Sequence, residues 1–159
     1  MRGGGATLQT ANRWYITAFF SIMRKDATVS SGEEDVISSF QLSGLHRNNN
    51  ELAYRKVIGE KNLGTVLSYR HQSLDAGIMF NRTVFDISVN RKRTVYNQFA
   101  FQGLSNQNIG CYVNYSIQNI SFFGEAAKSV EGGYGATAGI LASVSPKFDL
   151  ALLYRNYQS

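Results

Sequence analysis

The sequence predicts an all-β protein: an antiparallel up-and-down meander of about eight strands, forming a segment of a transmembrane β-barrel, with one short helix in a long loop. Three observations support this prediction. Apolar and polar residues alternate with a period of two along most of the chain. Aromatic residues make up 13% of the chain and charged residues 17%, against roughly 25% charged residues in soluble domains. Short and long connections between strands also alternate, as they do in outer-membrane barrels.

Eight segments of the chain carry the alternating pattern of strands. The predicted strands lie at residues 3–9, 13–23, 62–70, 74–81, 108–117, 120–127, 134–144 and 148–155. The first is weak and rich in glycine, whereas each of the others has one largely apolar face without charged residues. The opposite face mixes Gly, Ser and Asn with charged residues and a few apolar ones. Strands of this length approach the roughly 9–11 residues that cross a bilayer at a tilt.

The connections between these strands differ in length. Short turns are expected at 71–73, 118–119 and 145–147, and long connections at 24–61, 82–107 and 128–133. Short periplasmic turns and long outer loops produce this alternation in outer-membrane barrels, whereas Greek-key sandwiches follow no such rule. The connection lengths therefore favour a membrane barrel.

The long loops are expected to contain some structure of their own. Asn50 is predicted to cap a short helix, with Glu51 in its first turn and Gly59 at its end. Segments 35–43 and 94–102 alternate weakly, and we expect them to extend strands beyond the membrane.

Length and composition limit the alternatives. A chain of 159 residues fits a single domain, 1–159. It contains no apolar run of about 18 residues, so no spanning helix is expected, and its single cysteine, Cys111, excludes a disulfide framework. The first residues, MRGGGATLQT, lack the apolar region of a signal peptide. Since a protein of the bacterial outer membrane enters through such a peptide, the sequence predicts a fragment of a larger barrel.

Two sets of residues are candidates for function in a barrel wall. Charged residues on the mixed face are expected to line the lumen or contact a plug: Arg70, Asp75, Glu125, Asp149 and Arg155. Aromatic residues on the apolar face, near strand ends, fit an interfacial girdle: Trp14, Tyr69, Tyr115, Phe148 and Tyr154. The alternative for the first set is a paired, solvated group inside a narrow barrel. For the second set it is the aromatic core of a soluble β-protein.

The sequence contains no catalytic or metal-binding constellation, and we expect neither an enzyme nor a cofactor. His46 and His71 are the only histidines, and the barrel would place them at opposite ends. The glycine-rich segment 132–139 is followed by a strand and a turn, whereas a phosphate-binding loop requires a helix there.

The basic balance of the chain raises the possibility of nucleic-acid binding. The net charge is +5 and the pI about 9.4, but the basic residues are dispersed. The best stretch, 91–93 with Tyr96 and Phe99, is short. We therefore expect lipid rather than nucleic acid as the partner.

Three segments that together cover most of the chain carry a resemblance to a known family. They are GLHRNNNELAYRKVIGEKNLGTVLSYR (44–70), YNQFAFQGLSNQNIGCYVNYSIQNISFFGEAAKS (96–129) and GILASVSPKFDLALLYRNYQ (139–158). These segments resemble the large outer-membrane β-barrel proteins of Bacteroidota, which often carry helix-hairpin-helix repeats. The family's barrels are several times longer and this chain has no helix-hairpin-helix segment, so the resemblance implies an internal part of a larger barrel. It implies no substrate.

Three functional hypotheses follow. The leading one is an outer-membrane β-barrel segment with a structural, transport or surface role, whose partners are the lipid bilayer and the remainder of a larger barrel. The first alternative is a soluble all-β barrel of lipocalin type that binds a small ligand, and the second is a basic nucleic-acid-binding module. The leading hypothesis predicts that the two edge strands, near 4–9 and 148–155, do not pair with each other.

Overall fold

The computed structural model describes residues 1–10, 12–30, 36–40, 48–91, 94–95 and 100–158. Most of them lie in strands. The strands are β1 (Arg2–Gln9), β2 (Trp14–Lys25), β3 (Ala27–Ser30), β4 (Val36–Phe40), β5 (Ile58–His71), β6 (Leu74–Val89), β7 (Gly103–Ile117), β8 (Ile120–Ser129), β9 (Tyr134–Ser145) and β10 (Phe148–Gln158). A five-residue helical turn, α1 (Asn49–Ala53), lies between β4 and β5.

The strands form one up-and-down sheet in the order β1-β2-β5-β6-β7-β8-β9-β10. β3 and β4 pair antiparallel beside this path, and β4 also makes a short parallel contact with β6. The predicted all-β, antiparallel architecture is confirmed. β1 and β10 end the order, and in the described residues no ladder joins them. The prediction that these two edges do not pair with each other is therefore also confirmed.

All eight predicted strands are present, but the sheet contains ten. The additional strands are β3 and β4, and β4 is a separate strand rather than the extension expected at 35–43. β6 continues to Val89, beyond the predicted end at 81. The prediction stopped early because Arg82 and Asp86 occupy positions where the alternating pattern requires apolar residues. Of 94–102, residues 96–99 lie outside the described part of the chain, and the described ones are not in a strand.

The start of the predicted helix is wrong. The helical turn begins at Asn49, so the capping position is Asn48 and not Asn50. The carbonyl of Asn48 accepts a hydrogen bond from the backbone N–H of Leu52 at 3.0 Å, which is the first helical bond.

The predicted end of the helix at Gly59 is also wrong. The chain leaves the helical path at Lys56, which has a left-handed φ of 54° and donates its backbone N–H to Asp26 Oδ1 at 2.7 Å. Gly59 lies in β5, where its N–H donates to both carboxylate oxygens of Asp86 at 2.8 Å. Pairing with β6 therefore overrides the helix-ending preference of this glycine.

The short turns occur where the sequence predicts them. Gln72 and Gln118 begin two of these turns with left-handed φ values of 43° and 49°. Positive φ in a two-residue turn matches the right-handed twist of the flanking strands. Each such turn fixes the register of its hairpin, and with it the faces of both strands.

The chain divides into two compact units. The first comprises Met1–Gly4, Phe20–Leu63 and Arg82–Asn106, and the second Gly5–Phe19, Gly64–Asn81 and Gln107–Ser159. In the first unit, Ala27, Ile37 and Ile58 are 0% exposed and Val89 is 2% exposed. We call these four residues the first-unit core. Aromatic and aliphatic side chains pack against it: Phe40, Val57, Phe85, Ile87 and Phe101.

Candidate functional site

Strand pairing in the second unit brings the predicted apolar residues of β7–β10 onto one face, which we call the apolar face. Its cross-strand rows are Ile117–Ile120–Ala142–Leu150, Tyr115–Phe122–Ile140–Leu152 and Val113–Gly124–Ala138–Tyr154. A slip of one residue in any strand would move that strand's apolar set to the other side of the sheet. In all four strands the predicted apolar residues lie on the same side of the sheet, which confirms the alternation assigned from the sequence. We call the other side the mixed face.

Apolar side chains of the apolar face are exposed throughout the second unit. Large residues on six strands are between 40% and 56% exposed: Ile16, Leu67, Ile78, Val113, Phe122 and Leu152. On β5 the contrast between faces is direct, because Ser68 on the mixed face is 3% exposed while its neighbour Leu67 is 42% exposed. This is the reverse of the arrangement in a water-soluble domain, where the apolar residues are inside.

The apolar face has a limited height. On β8 it begins at Ile120, beside a short turn, and ends at Lys128. A rise of about 3.4 Å per residue makes this roughly 27 Å along the strand. With a strand tilt of roughly 40°, the height is about 21 Å, close to the roughly 25 Å apolar band of membrane barrels.

Four of the five predicted girdle residues lie close to the short turns, and two of them are in aromatic contact. The rings of Trp14 and Tyr69 lie 5.1 Å apart at an interplanar angle of 59°. Tyr115 lies directly opposite Phe122. Phe148 is 57% exposed and follows a short turn, but a bulge after it shifts its pairing.

Tyr154 does not lie at a strand end, as the sequence suggested. β10 continues to Gln158, and Tyr154 lies opposite Ala138 in the interior of the ladder. The polar residues at the end of the strand, from Arg155 onward, hide this extension from hydrophobic periodicity. Tyr154 is nevertheless 63% exposed on the apolar face.

On the mixed face, the predicted charged residues Arg70 and Asp75 lie together. Nε of Arg70 lies 3.5 Å from Oδ2 of Asp75, and the guanidinium of Arg70 lies 5.2 Å from the centre of the Tyr15 ring. Oδ1 of Asp75 accepts a hydrogen bond from the hydroxyl of Tyr112 at 3.0 Å. The arrangement links four neighbouring strands, β2, β5, β6 and β7.

Strand pairing continues this polar row to β10. Tyr112 lies opposite Glu125, Glu125 opposite Thr137, and Thr137 opposite Arg155. We call the whole set, from Tyr15 to Arg155, the polar row. Four of the five predicted lumen charges belong to it, while the fifth, Asp149, lies near the β9–β10 turn. Cations, carboxylates and hydroxyls in such a row require water or a polar partner, so the mixed face is unsuited to acyl chains.

The sequence does not identify Tyr15 or Tyr112 as members of this row. Their contacts depend on which strand pairs with which across the long connections, and periodicity within one strand carries no such information. Their positions in the sequence could have placed them on the mixed face, since both tyrosines lie between the apolar-face residues of their own strands.

Glycines on the mixed face are covered by large side chains from neighbouring strands. At Gly77, an added Cβ would lie 2.6 Å from Cε1 of Tyr112 and 2.9 Å from the carbonyl oxygen of Leu67. Large side chains therefore fill the space beside the small residues of this face. The covered pairs are Gly64–Phe19, Gly77–Tyr112, Gly110–Met79, Gly135–Tyr157 and Gly139–Phe123.

The first unit contains a buried carboxylate that sequence reasoning missed. Glu60 is 4% exposed, and Nζ of Lys25 lies 2.5 Å from its Oε2. Its Oε1 accepts a hydrogen bond from Asn62 Nδ2 at 2.7 Å, and Asn62 Oδ1 accepts one from the Thr83 hydroxyl at 2.6 Å. Lys25 and Glu60 fall within the predicted long connection 24–61, so no strand face was assigned to them.

The remaining candidates from the sequence have other surroundings. The ring of His71 lies 6.4 Å from that of Tyr69, while His46 lies outside the described residues. The described part of the chain holds no group of three or more His, Cys, Asp or Glu residues able to bind a metal ion. None of its helices has the length and apolarity needed to cross a membrane. The glycine-rich segment 132–139 leads into β9, the strand expected there.

The basic stretch considered for nucleic acid is only partly described. Arg91 places its guanidinium 4.9 Å from the centre of the Phe40 ring, beside the first-unit core. Lys92, Arg93, Tyr96 and Phe99 lie outside the described residues.

No family model, curated protein or solved structure matches the chain. The functional argument therefore rests on the two faces of the sheet. One carries exposed apolar side chains, and the other carries the polar row and the covered glycines.

Proposed function

We propose that the chain forms part of the wall of a β-barrel in the bacterial outer membrane. Its apolar face contacts lipid acyl chains, and its mixed face lines a hydrated lumen. The observation that carries the proposal is the reversed exposure of neighbouring residues, with Ser68 at 3% and Leu67 at 42%.

The alternative, a soluble lipocalin-like barrel, requires the opposite arrangement. Its apolar face would surround a ligand and be shielded from water. Here Ile78 and Leu152 are each 56% exposed, and covering them with lipid removes the cost of apolar surface in water, about 25 cal/mol per Å². The exposed apolar face therefore favours a membrane over a small-ligand pocket.

The open edges of the sheet support a wall with further strands. β1 and β10 end the strand order, and an unpaired backbone N–H or C=O group in hydrocarbon costs several kcal/mol. We propose that the remainder of a larger barrel pairs with both edges. The resemblance to the large barrels of Bacteroidota is consistent with this proposal.

The role we propose is structural or in transport, without catalysis. A lumen lined by the polar row would favour hydrated, charged or polar solutes over apolar ones. The residues that would face such solutes are Arg70, Asp75, Glu125, Asp149 and Arg155. Trp14, Tyr69, Tyr115 and Phe148 would lie at the membrane interface on the side of the short turns.

Fluorescence of the single tryptophan tests the membrane proposal. Trp14 lies on the apolar face and is 44% exposed. We expect lipids brominated near the carbonyl end of their chains to quench Trp14 strongly in phosphatidylcholine bilayers, and aqueous iodide to quench it weakly. A matched control moves the probe by one residue, in the double variant Trp14→Phe/Tyr15→Trp. Its tryptophan on the mixed face should be quenched more by iodide than by brominated lipid.

The opposite result for Trp14 would overturn the proposal. Strong quenching by iodide and none by brominated lipid would mean that the apolar face meets water or protein. Purification of the chain as a monomer without detergent would have the same meaning, because the exposed apolar side chains would then be dispersed in water.

A further inference from the structure

Three basic residues of the first unit lie on one side of three strands that are neighbours in the sheet. They are Arg24 on β2, Lys61 on β5 and Arg82 on β6, and each is exposed. Two positions closer to the short turns, the same side of β2 and β5 carries Ile22 (50% exposed) and Leu63 (52% exposed). We call these three cations the basic border.

Contacts on the mixed face establish which way these cations point. Lys25 pairs with buried Glu60, so the residues next to them, Arg24 and Lys61, lie on the opposite, apolar side. The hydrogen bond from Thr83 to Asn62 likewise places Arg82 on that side. The basic border thus lies on the same side of its strands as Ile22 and Leu63, opposite the side that carries Glu60.

The three cations lie close together along the sheet. Thr83 lies beside Asn62, and Asp86 receives the N–H of Gly59, so Lys61 and Arg82 are diagonal neighbours in an antiparallel pair. Diagonal neighbours have Cα atoms about 7–8 Å apart, within reach of long side chains. Strands of a membrane barrel are tilted by roughly 45°. Residues at the same depth in the membrane are therefore offset along neighbouring strands, as Lys61 and Arg82 are.

In the described residues, no ion pair involves Arg24, Lys61 or Arg82. Two carboxylates lie beyond the border on the same side, Asp26 two positions after Arg24 and Asp86 four positions after Arg82. Asp26 accepts the backbone N–H of Lys56, and Asp86 accepts that of Gly59. Three cations of like charge on adjacent strands repel one another unless an anion lies between them. An anionic group at this height relieves that repulsion.

We propose that the basic border binds phosphate groups of lipid headgroups, in the leaflet on the side of the long connections. The inference rests on the proposed membrane wall. The apolar side chains below would contact acyl chains, and the cations directly above them would meet the headgroup phosphates, the order found in a bilayer from its centre outward. Charge complementarity with the phosphate and the exposed Ile22 and Leu63 beside the cations favour a lipid as the ligand.

Native mass spectrometry of the full chain in neutral detergent micelles can measure this binding. Phosphatidylglycerol is titrated into the micelles in one series and phosphatidylcholine in another. We expect the double variant Lys61→Gln/Arg82→Gln to bind phosphatidylglycerol roughly 25-fold more weakly than wild type, about 5-fold for each cation removed. Arg24→Gln in addition should weaken binding about 5-fold further. Binding of phosphatidylcholine should change much less.

A charge-matched control is available at the short turns. The double variant Arg13→Gln/Lys147→Gln also removes two exposed cations, but these lie in short turns, with Arg13 at the other end of β2 from Arg24. It should bind phosphatidylglycerol like wild type. The conservative double variant Lys61→Arg/Arg82→Lys should retain tight binding, because the charge is kept. Glycerol phosphate, the headgroup without acyl chains, should not displace the lipid.

The outcomes separate this inference from the membrane proposal. The inference is overturned if the test and control variants lose phosphatidylglycerol binding equally, or if binding is unchanged in both. The proposed membrane wall is unaffected by either result. Displacement by glycerol phosphate overturns the inference as well, since the site would then bind a free phosphate. A wild-type chain that binds neither lipid and needs no detergent overturns both proposals together.

Discussion

Ile58 and Ile78 are the same residue type on the adjacent strands β5 and β6, yet Ile58 is 0% exposed and Ile78 is 56% exposed. Ile58 belongs to the first-unit core, where apolar side chains pack among themselves. Ile78 belongs to the apolar face of the second unit, where they point away from the sheet. The difference teaches that the same hydrophobic signal leads to burial in one region of the chain and to exposure in the other.

Polar residues show the same reversal. The first unit buries Glu60 and neutralises it with Lys25 and Asn62, as a domain in water does with a buried charge. The second unit keeps its polar row on one face, and on β8 its exposed apolar face carries no charge before Lys128. The four experiments that follow break or sharpen this comparison.

Truncating Ile58 and Ile78 to alanine should give the largest difference in stability among these experiments. Ile58→Ala removes atoms from a fully buried site and should lower the free energy of unfolding by about 2–5 kcal/mol. Ile78→Ala removes exposed atoms and should cost less than about 1 kcal/mol. Urea titration of the chain in detergent micelles measures both values. Equal losses would show that the two regions do not differ in packing.

Arginine substitutions on β10 test the two faces in a bilayer. Leu152→Arg places a charge on the apolar face and should cost about 2–4 kcal/mol of folding free energy, whereas Ala151→Arg on the mixed face should cost about 0–1 kcal/mol. The measurement is reversible unfolding in phosphatidylcholine vesicles. Gly77 is unsuited as the control, because Tyr112 and the Leu67 carbonyl fill the space of its side chain. Similar costs at 151 and 152 would reject the assignment of faces.

A glycine substitution tests the packing of the mixed face. A Cβ at Gly64 would overlap the Phe19 ring, so Gly64→Ala should destabilise the chain by about 1–3 kcal/mol. In the double variant Phe19→Leu/Gly64→Ala the overlap is relieved, and the combined loss should be smaller than the sum of the single losses. Strict additivity in detergent unfolding would contradict the proposed contact.

Removal of the partner of Glu60 should have the smallest effect of the four. Lys25→Met leaves the buried carboxylate with the Asn62 amide alone, and should cost about 1–2 kcal/mol because the lysine side chain is partly exposed. The matched control, Lys61→Met, is exposed on the apolar side and should change stability in detergent by less than about 0.5 kcal/mol. A larger loss for Lys61 than for Lys25 would contradict the ion pair.

Much of the second unit could be predicted from the sequence. The connections within β7–β10 are all far shorter than 24–61 or 82–107, including the one at 130–133 that the sequence counted as long. Register therefore follows from the turns, and alternation within each strand assigns its face. That is why the apolar rows around Phe122 and Ile140 agree with the sequence. The predicted strand-end position of Tyr154 was wrong, since the residues from Arg155 to the end of β10 carry little hydrophobic signal.

The first unit was predicted less well, for a physical reason. β3 and β4 are short, and β4 pairs parallel with β6 through Ile37 and Val89, a contact between residues far apart in sequence. Gly59 suggested a helix end, but its bond to Asp86 depends on a strand pairing that local propensity cannot contain. Tertiary contacts of this kind override local preference.

The most direct test of the central claim is the lipid accessibility of consecutive residues on β10. Single cysteines at 150, 151, 152 and 153, in a Cys111→Ala background that removes the free native thiol, are spin-labelled in phosphatidylcholine bilayers. Collision rates are then measured with oxygen, which concentrates in the acyl chains, and with a polar nickel chelate, which stays in water. The proposed membrane wall predicts oxygen maxima at Leu150 and Leu152 and chelate maxima at Ala151 and Leu153. Chelate maxima at Leu150 and Leu152, or the same accessibility at all four positions, would contradict a membrane wall whose apolar face contacts lipid.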